Sequence, residues 1–229
     1  MAESRLKNRP NSSLFNFDNE FKQIQKTPLG LEFAAFSHIL GTDEAGRGPA
    51  AGGVWAACTC FLKENIEDEL IKLNDSKKIS EKTREELYPV ICDNCVFSIK
   101  SVDVETIEKI NILNSSLLAM RLCIEEVLEK IQAQSPLVLV DGNKKVKDLK
   151  IPQKTIIKGD SKSASIAAAS ILAKVERDNF MKKISLEYPH YNWAKNKGYL
   201  TREHIEAIKK FGITKYHRKS FLKNICPGL

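Results

Sequence analysis

No apolar run in the sequence approaches the roughly 18 residues that a membrane-spanning helix requires. The opening segment MAESRLKNRPNSSLFNF also lacks the apolar core of a secretory signal. These absences predict a cytoplasmic chain with no membrane partner. Neither an internal repeat nor a low-complexity tract is present. Cysteine is sparse and badly spaced for metal: of the six, only Cys92 and Cys95 form a C-x-x-C pair, and no second pair completes a tetrahedral zinc site. Cys58 and Cys60 fall in the apolar stretch VWAACTCFL, where reduced, structural thiols are expected in a cytosolic protein.

What is present is ordinary in amount and uneven in placement. The chain has 229 residues, 42% of them hydrophobic and 28% charged, with a mean hydropathy of −0.29. That suits one large domain or two small ones and excludes a mainly disordered or fibrous chain. The net charge is +7 and the sequence pI about 9.0. Up to Val140 there are 16 basic and 21 acidic residues, a balance of −5; from Asp141 onward there are 20 and 8, a balance of +12. The C-terminal portion can therefore face a polyanion.

Residues 1–36 are polar, carry Pro10 and Pro28 and show no sustained periodicity. They read as a partly flexible N-terminal extension whose Phe residues, from Leu14 to Phe36, can dock on the body. From His38 the pattern is strand (HILGTD), Gly-rich turn (EAGRGPAAGG) and strand (VWAACTCFL). Ser80 is a candidate N-cap for a helix through Leu87, Val90 and Ile91. The alternation of Val96–Val102 predicts a third strand, and an apolar stripe predicts a helix from about Ser115 to Gln132. Pro136 stops that helix before LVLV, an uninterrupted apolar strand of the kind covered on both faces. TIIK at 155–158 reads as another strand, and the Ala/Ser-rich segment from Ser163 as a helix able to pack closely. Hairpin strands followed by strands alternating with helices indicate an α/β domain with a mixed sheet.

Acids sit at the ends of three of these strands. Asp43 and Glu44 follow HILGT, Asp141 follows LVLV, and Asp160 follows TIIKG. Side chains from separate strands converge at such ends. Converging carboxylates repel unless cations lie between them, and oxygen ligands favour magnesium or manganese. Taken singly, each acid also has a plain structural reading: Asp141-Gly142 is a good turn dipeptide, Glu44 could be loop surface, and Asp160 could cap the helix that begins near Ser163. Asp43 is harder to explain away, because Gly46, Gly48, Gly52 and Gly53 beside it let a backbone approach a ligand closely.

The strings GTDEAGRGPAAGGV, LNDSKKISEK, LVDGN, KGDSKSASIAAASILAKVERD, NKGYLT and HRKSF, in that order, resemble ribonuclease HII and span about Leu40 to Phe221. The resemblance implies a ribonuclease H-like core, a mixed five-stranded sheet flanked by helices, over 37–189, with a basic helical C-terminal part over 190–229 packed on it. It implies cleavage of the RNA strand of RNA–DNA hybrids and incision 5′ to a ribonucleotide embedded in duplex DNA, leaving 3′-hydroxyl and 5′-phosphate ends. The implied roles are primer removal and ribonucleotide repair. Asp43, Glu44, Asp141 and Asp160 take the positions of the family's catalytic carboxylates; Asp43, Glu44 and Asp141 would hold magnesium or manganese for two-metal-ion catalysis. Asp178 of the ERD string reads as structural.

For substrate, the resemblance implies that Gly46, Arg47 and Gly48 read the 2′-hydroxyl and that Tyr199 senses the nucleotide on the DNA side of the junction. Asn74, Ser76, Lys77, Lys78, Lys158, Ser161 and Lys162 resemble phosphate-contacting positions. His204, Arg218 and Lys219 are assigned to the distal DNA. The intact GRG and the short leader before Asp43 favour this family over ribonuclease HIII, which has a long N-terminal domain. A replication-clamp contact would fall on the basic chain ends, and a monomer is expected. The rival readings are a noncatalytic duplex-binding module, and a metal-dependent phosphatase or DNA nuclease on a similar core. Four acids where phosphate must approach disfavour a pure binder.

Overall fold

A computed structural model describes residues 12–23, 25–26, 32–33, 36–63, 70, 72–74 and 76–225. Its centre is a five-stranded sheet made of β1 (His38–Ala45), β2 (Val54–Phe61), β3 (Cys95–Val102), β4 (Pro136–Asp141) and β5 (Gln153–Ile156). The spatial order is β3-β2-β1-β4-β5. β1, β2 and β3 form an antiparallel meander, whereas β4 and β5 add in parallel on the other side of β1. The sheet is mixed, as the sequence pattern indicates. A separate two-residue ribbon joins Gln25–Lys26 to Glu32–Phe33.

The helices are α1 (Ser12–Glu20), α2 (Glu81–Asn94), α3 (Val104–Ile131), α4 (Ala164–Glu187), α5 (Trp193–Asn196), α6 (Arg202–Phe211) and α7 (Lys219–Leu222). Alternation along β2 sorts the core into two layers. Ala57 faces α4 with Ala164, Ala167, Ala168 and Leu172. Ala56, Cys58 and Cys60 face α3 with Met120, Cys123, Ile124 and Val127. The five described cysteines are free, and burial pushes the Cys60 and Cys123 thiols up to about 12. They are inert packing groups, as expected; Cys226 lies outside the described residues.

Small residues decide how closely α4 approaches the sheet. A Cβ on Gly41, in the middle of the central strand, would fall 2.2 Å from the Ser165 carbonyl carbon and 2.3 Å from the Ile166 nitrogen. The helix backbone therefore lies directly on the strand. Ser163 caps it by accepting from the Ile166 N–H, so Asp160 is not the cap. Thr59 Oγ1 donates to the Ser165 carbonyl at 2.8 Å. On the far side, Asp18 of α1 accepts from the Ser165 N–H at 2.8 Å and from its hydroxyl at 2.7 Å. Burial lifts the Asp18 carboxyl to about 6 against the pull of those serine hydrogen bonds. Leu14 and Phe15 are buried beside it, so the leader contains a docked helix where no periodicity marked one.

Three boundaries differ from the sequence reading, each for a local reason. α3 begins at Val104 rather than near Ser115, because Asp103 caps it by accepting from the Thr106 N–H. Its course breaks at Asn111 (φ 65°, ψ 165°), whose Oδ1 accepts from the Asn114 N–H and starts the second segment. The last parallel strand is Gln153–Ile156, not 155–158; Ile157 is exposed and Lys158 is left-handed at φ 55°. Finally, β1 continues through Asp43 and Glu44 to Ala45, so these acids are part of the strand rather than of the loop after it.

The close contact at Gly41 has a direct consequence. Gly41→Ala should destabilise the fold by about 1–3 kcal/mol, the usual cost of overpacking a tight core, seen as a lower urea midpoint at unchanged slope. An unchanged midpoint would show that α4 can lift from the strand freely.

Candidate active site

Strand register gathers the acids. Thr42 of β1 stands beside Val140 of β4 in parallel pairing, so the next residues along, Asp43 and Asp141, leave neighbouring strands at the same edge. Asp141 pairs with Ile156 of β5. The chain then turns through Lys158, and the Gly159 N–H donates to Asp141 Oδ1 at 2.7 Å. A Cβ on Gly159 would meet Ile166 Cδ1 at 2.5 Å and Asp141 Oδ1 at 3.2 Å, so the return is closely packed. The following short 3-10 turn, Gly159–Ser161, brings in Asp160, which is buried. Asp43 is buried as well, and its Oδ1 accepts from the Glu44 N–H at 2.7 Å.

The electrostatics show that these acids share one field. Burial, then Glu44, Asp141 and Asp160, push the Asp43 carboxyl well above the usual carboxylate range. Glu44 is also raised, chiefly by burial and partly by Asp141; Arg47, 3.3 Å from its Oε1, and Lys77 pull the other way. Buried negative charge of this kind calls for a cation. Among the described residues no three His, Cys, Asp or Glu side chains are gathered tightly enough to close round an ion as they stand. The donor set itself, four carboxylates with neither thiol nor imidazole among them, fits a hard divalent cation with water in its remaining positions. Asp43, Glu44, Asp141 and Asp160 are the residues that could hold one.

A cleft of about 290 Å³ opens from this edge and is lined by Asp43, Glu44, Gly46, Arg47, Gly48, Ser76, Lys77, Lys174, Arg177 and Tyr199. It joins the GRG string, two residues of LNDSKK and the tyrosine of KGY to two of the acids. Tyr199 is half exposed, and a Cβ on Gly48 would sit 3.3 Å from its ring; the absent side chain lets the tyrosine close over the loop. Asp141, Asp160, Asn74, Lys158, Ser161 and Lys162 do not line this cleft. Lys158 and Lys162 are exposed near Asp160, Asn74 is exposed, and the Ser161 hydroxyl donates to the Lys158 carbonyl at 2.9 Å. Asp178 is buried with Lys174 Nζ at 2.6 Å, in agreement with its structural reading. Another hollow of about 280 Å³, lined by Ile110, Leu117 and Arg121 among others, contains none of these acids.

The assignment of His204 and Arg218 to distal DNA is wrong, because both are fully buried. The cause is the aromatic cluster of Tyr191, Trp193 and Tyr216, which the C-terminal helices wrap around. Inside it the hydrogen bonds fix both imidazoles as neutral. His217 Nδ1 accepts from the Thr214 N–H at 2.9 Å, so its Nε2–H points to His204 Nε2 at 3.2 Å. His204 Nε2 also accepts from Trp193 Nε1–H at 3.0 Å, leaving Nδ1–H to donate to the Tyr199 carbonyl at 2.9 Å. Arg218 instead holds backbone carbonyls of the glycine loop. Aromatics clustered around both histidines were the one sequence signal that these residues belong to a core. Lys219 does remain exposed.

A mixed five-stranded sheet flanked by helices, with carboxylates converging at one edge, is a ribonuclease H-like fold. The family model for Ribonuclease HII matches residues 40–224. Ribonuclease HII of Fusobacterium nucleatum is 48% identical over 205 residues, covering 89% of this chain and 94% of its own. That of Caldanaerobacter subterraneus is 47% identical over 215 residues, covering 92% and 86%. Among solved structures, the RNase HII of Archaeoglobus fulgidus in complex with PCNA superposes with a TM-score of 0.65 at 24% identity, covering 79% of this chain and 93% of that one. The chain belongs to the ribonuclease HII family and is a ribonuclease H enzyme.

The histidine pair makes stability depend on pH. Burial holds His217 down at about 4 and lowers His204 as well. Below about 6.5 the unfolded chain takes up protons that the folded one refuses. The contribution is complete above that value and is lost as pH falls toward about 4. Asp18 and Asp43, whose carboxyls are raised, titrate with the opposite sign, so the reading must be a difference. The stability advantage of wild type over His217→Gln should shrink between pH 7 and pH 4.5, measured by urea unfolding. A constant advantage would contradict neutral imidazoles.

Proposed function

We propose that this enzyme hydrolyses the RNA strand of RNA–DNA hybrids and incises duplex DNA 5′ to an embedded ribonucleotide, leaving 3′-hydroxyl and 5′-phosphate ends. One observation carries the reading: Gly46, Arg47, Gly48 and Tyr199 line the same cleft as Asp43 and Glu44. Groups suited to recognising a ribose thus stand beside groups suited to phosphodiester chemistry. Backbone N–H groups exposed by the glycines contact the 2′-hydroxyl, the feature that separates RNA from DNA. Arg47 adds positive charge near the phosphate. The Tyr199 ring packs on the sugar on the DNA side of the junction, with its hydroxyl free to hydrogen-bond.

Asp43, Glu44 and Asp141, with Asp160 beside them, would hold magnesium or manganese. Bound in pairs, such ions supply activation of the attacking water and neutralisation of the departing 3′ oxygen. Lys77 and Ser76 reach phosphate from the cleft wall, with Asn74, Lys158, Ser161 and Lys162 outside it along the same strand. The excess basic charge after Asp141 faces the duplex and makes binding fall steeply with salt. Primer removal and ribonucleotide repair are the roles such an activity would serve, with a cytoplasmic monomer as the proposed working form. The Archaeoglobus relative bound to PCNA favours a sliding-clamp contact here too, on the basic chain ends. Among the described residues no helix is long and apolar enough to cross a membrane.

The test separates holding metal from holding duplex. Asp43→Asn or Asp141→Asn should lower turnover at least about a thousandfold, roughly 4 kcal/mol of barrier, while duplex affinity in a binding assay stays near wild type. Near-normal turnover in either variant would remove the metal-holding role. Tyr199→Ala should lose the preference for RNA–DNA junctions over all-RNA strands in hybrids; an unchanged product pattern would count against the tyrosine as sensor.

A further inference from the structure

We propose that Arg218 is a positioning residue for ribonucleotide recognition, holding the glycine loop from behind in the conformation that aims its N–H groups into the cleft. This rests on the reading above that the loop contacts the ribose. The guanidinium is buried and reaches four backbone carbonyls of one loop. Its Nε donates to Gly52 O at 2.8 Å, one terminal nitrogen to Arg47 O at 3.2 Å, and the other to Gly46 O at 2.7 Å and Gly53 O at 2.9 Å. The loop also exchanges backbone bonds with the same segment, Arg218 N–H to Ala50 O and Gly52 N–H to Tyr216 O, both at 2.8 Å.

Peptide planarity turns this inward grip into outward aim. In a trans peptide the C=O of one residue and the N–H of the next point in opposite directions. Arg218 draws the Gly46 and Arg47 carbonyls toward the core, so the N–H groups of Arg47 and Gly48 face away from it. Neither donates to a protein acceptor among the described residues. Both residues are on the cleft wall. Gly46 and Gly52 have φ of 103° and 82°, a left-handed backbone that glycine adopts without steric cost. A Cβ on Gly46 would meet Arg177 Nε at 2.2 Å, so Arg177 closes the loop from a second side. A single planar fork meeting four carbonyls cannot be replaced by a point charge, which explains an arginine at this position rather than lysine.

The experiment measures two affinities in the full chain carrying Asp43→Asn, so that duplex is bound in magnesium without being cut. One duplex holds a single ribonucleotide; the other is all DNA of the same sequence. Adding Arg218→Lys should lower the affinity ratio between them at least about tenfold, the scale of one or two lost hydrogen bonds, and leave all-DNA affinity within about twofold. Amide exchange at Arg47 and Gly48 should quicken with core protection in α3 and α4 unchanged. Loss of folded protein would lower both affinities together, so the ratio is read on the folded Arg218→Lys variant, where an unchanged ratio overturns the proposal. Should Arg218→Lys fail to fold, Phe221→Leu removes the ring 5.2 Å from the guanidinium and should shift the ratio in the same direction by less. Gly48→Ala is the reference for the recognition reading. A parent ratio in Arg218→Lys alone overturns the positioning role; a parent ratio in Gly48→Ala as well overturns recognition by the loop itself.

Discussion

Asp43 and Asp141 leave the sheet side by side only because β1 and β4 run parallel with Thr42 abreast of Val140. A slip of one residue would turn one of the two acids to the opposite face. Everything nearby serves that register. Gly41 lets α4 rest its backbone on β1, Thr59 and Asp18 pin the first turn of that helix through Ser165, and the cap at Ser163 places Asp160 just before it. Gly159 then ties Asp141 to the same turn. The site is thus a consequence of how one strand is paired and one helix is seated. Burial first, and mutual repulsion after it, raise the Asp43 and Glu44 carboxyls, a cost that a divalent ion would offset.

Charge is divided between surface and interior in a way that a balance sheet conceals. The +12 excess after Asp141 suggests a continuous duplex-facing surface, yet Arg177 and Arg218 are both buried. Their guanidiniums hold backbone carbonyls behind the glycine loop. Burial lowers the pKa of each, against the opposing pull of Asp178 on Arg177 and of Glu108 on Arg218. Two cations held there also make the loop in front of them more attractive to an anion. Lys158 and Lys162 are exposed. The C-terminal segment is therefore divided between buried cations that hold backbone and lysines that face solvent.

What could be read in advance followed from local chemistry. Ser80 announced its cap, the apolar LVLV a strand covered on both faces, and the acids their strand ends, whereas the cap at Ser163 displaced the one expected from Asp160. The glycines beside Asp43 pointed to close backbone approach. What could not be read depended on contacts distant in sequence. Asp18 meets Ser165 from 147 residues away, and Arg218 meets Gly46 from 172. In isolation His204 and Arg218, in a lysine-rich segment, look like contacts to DNA; only the packing around the aromatic cluster turns both inward. The missed first segment of α3 has a local cause, since Asn111 interrupts the periodicity that would have extended the helix.

A carboxylate site and a ribose-reading loop that act together in one cleft would make cutting depend on both the metal and the ribonucleotide. Incision of a duplex bearing one ribonucleotide, beside an all-DNA duplex of the same sequence, with and without magnesium, tests it most directly. Cutting confined to the ribonucleotide-containing strand, 5′ to that nucleotide and only with the metal, is the predicted result. Equal cutting of both duplexes, or binding of both without cutting in the presence of magnesium or manganese, would contradict it.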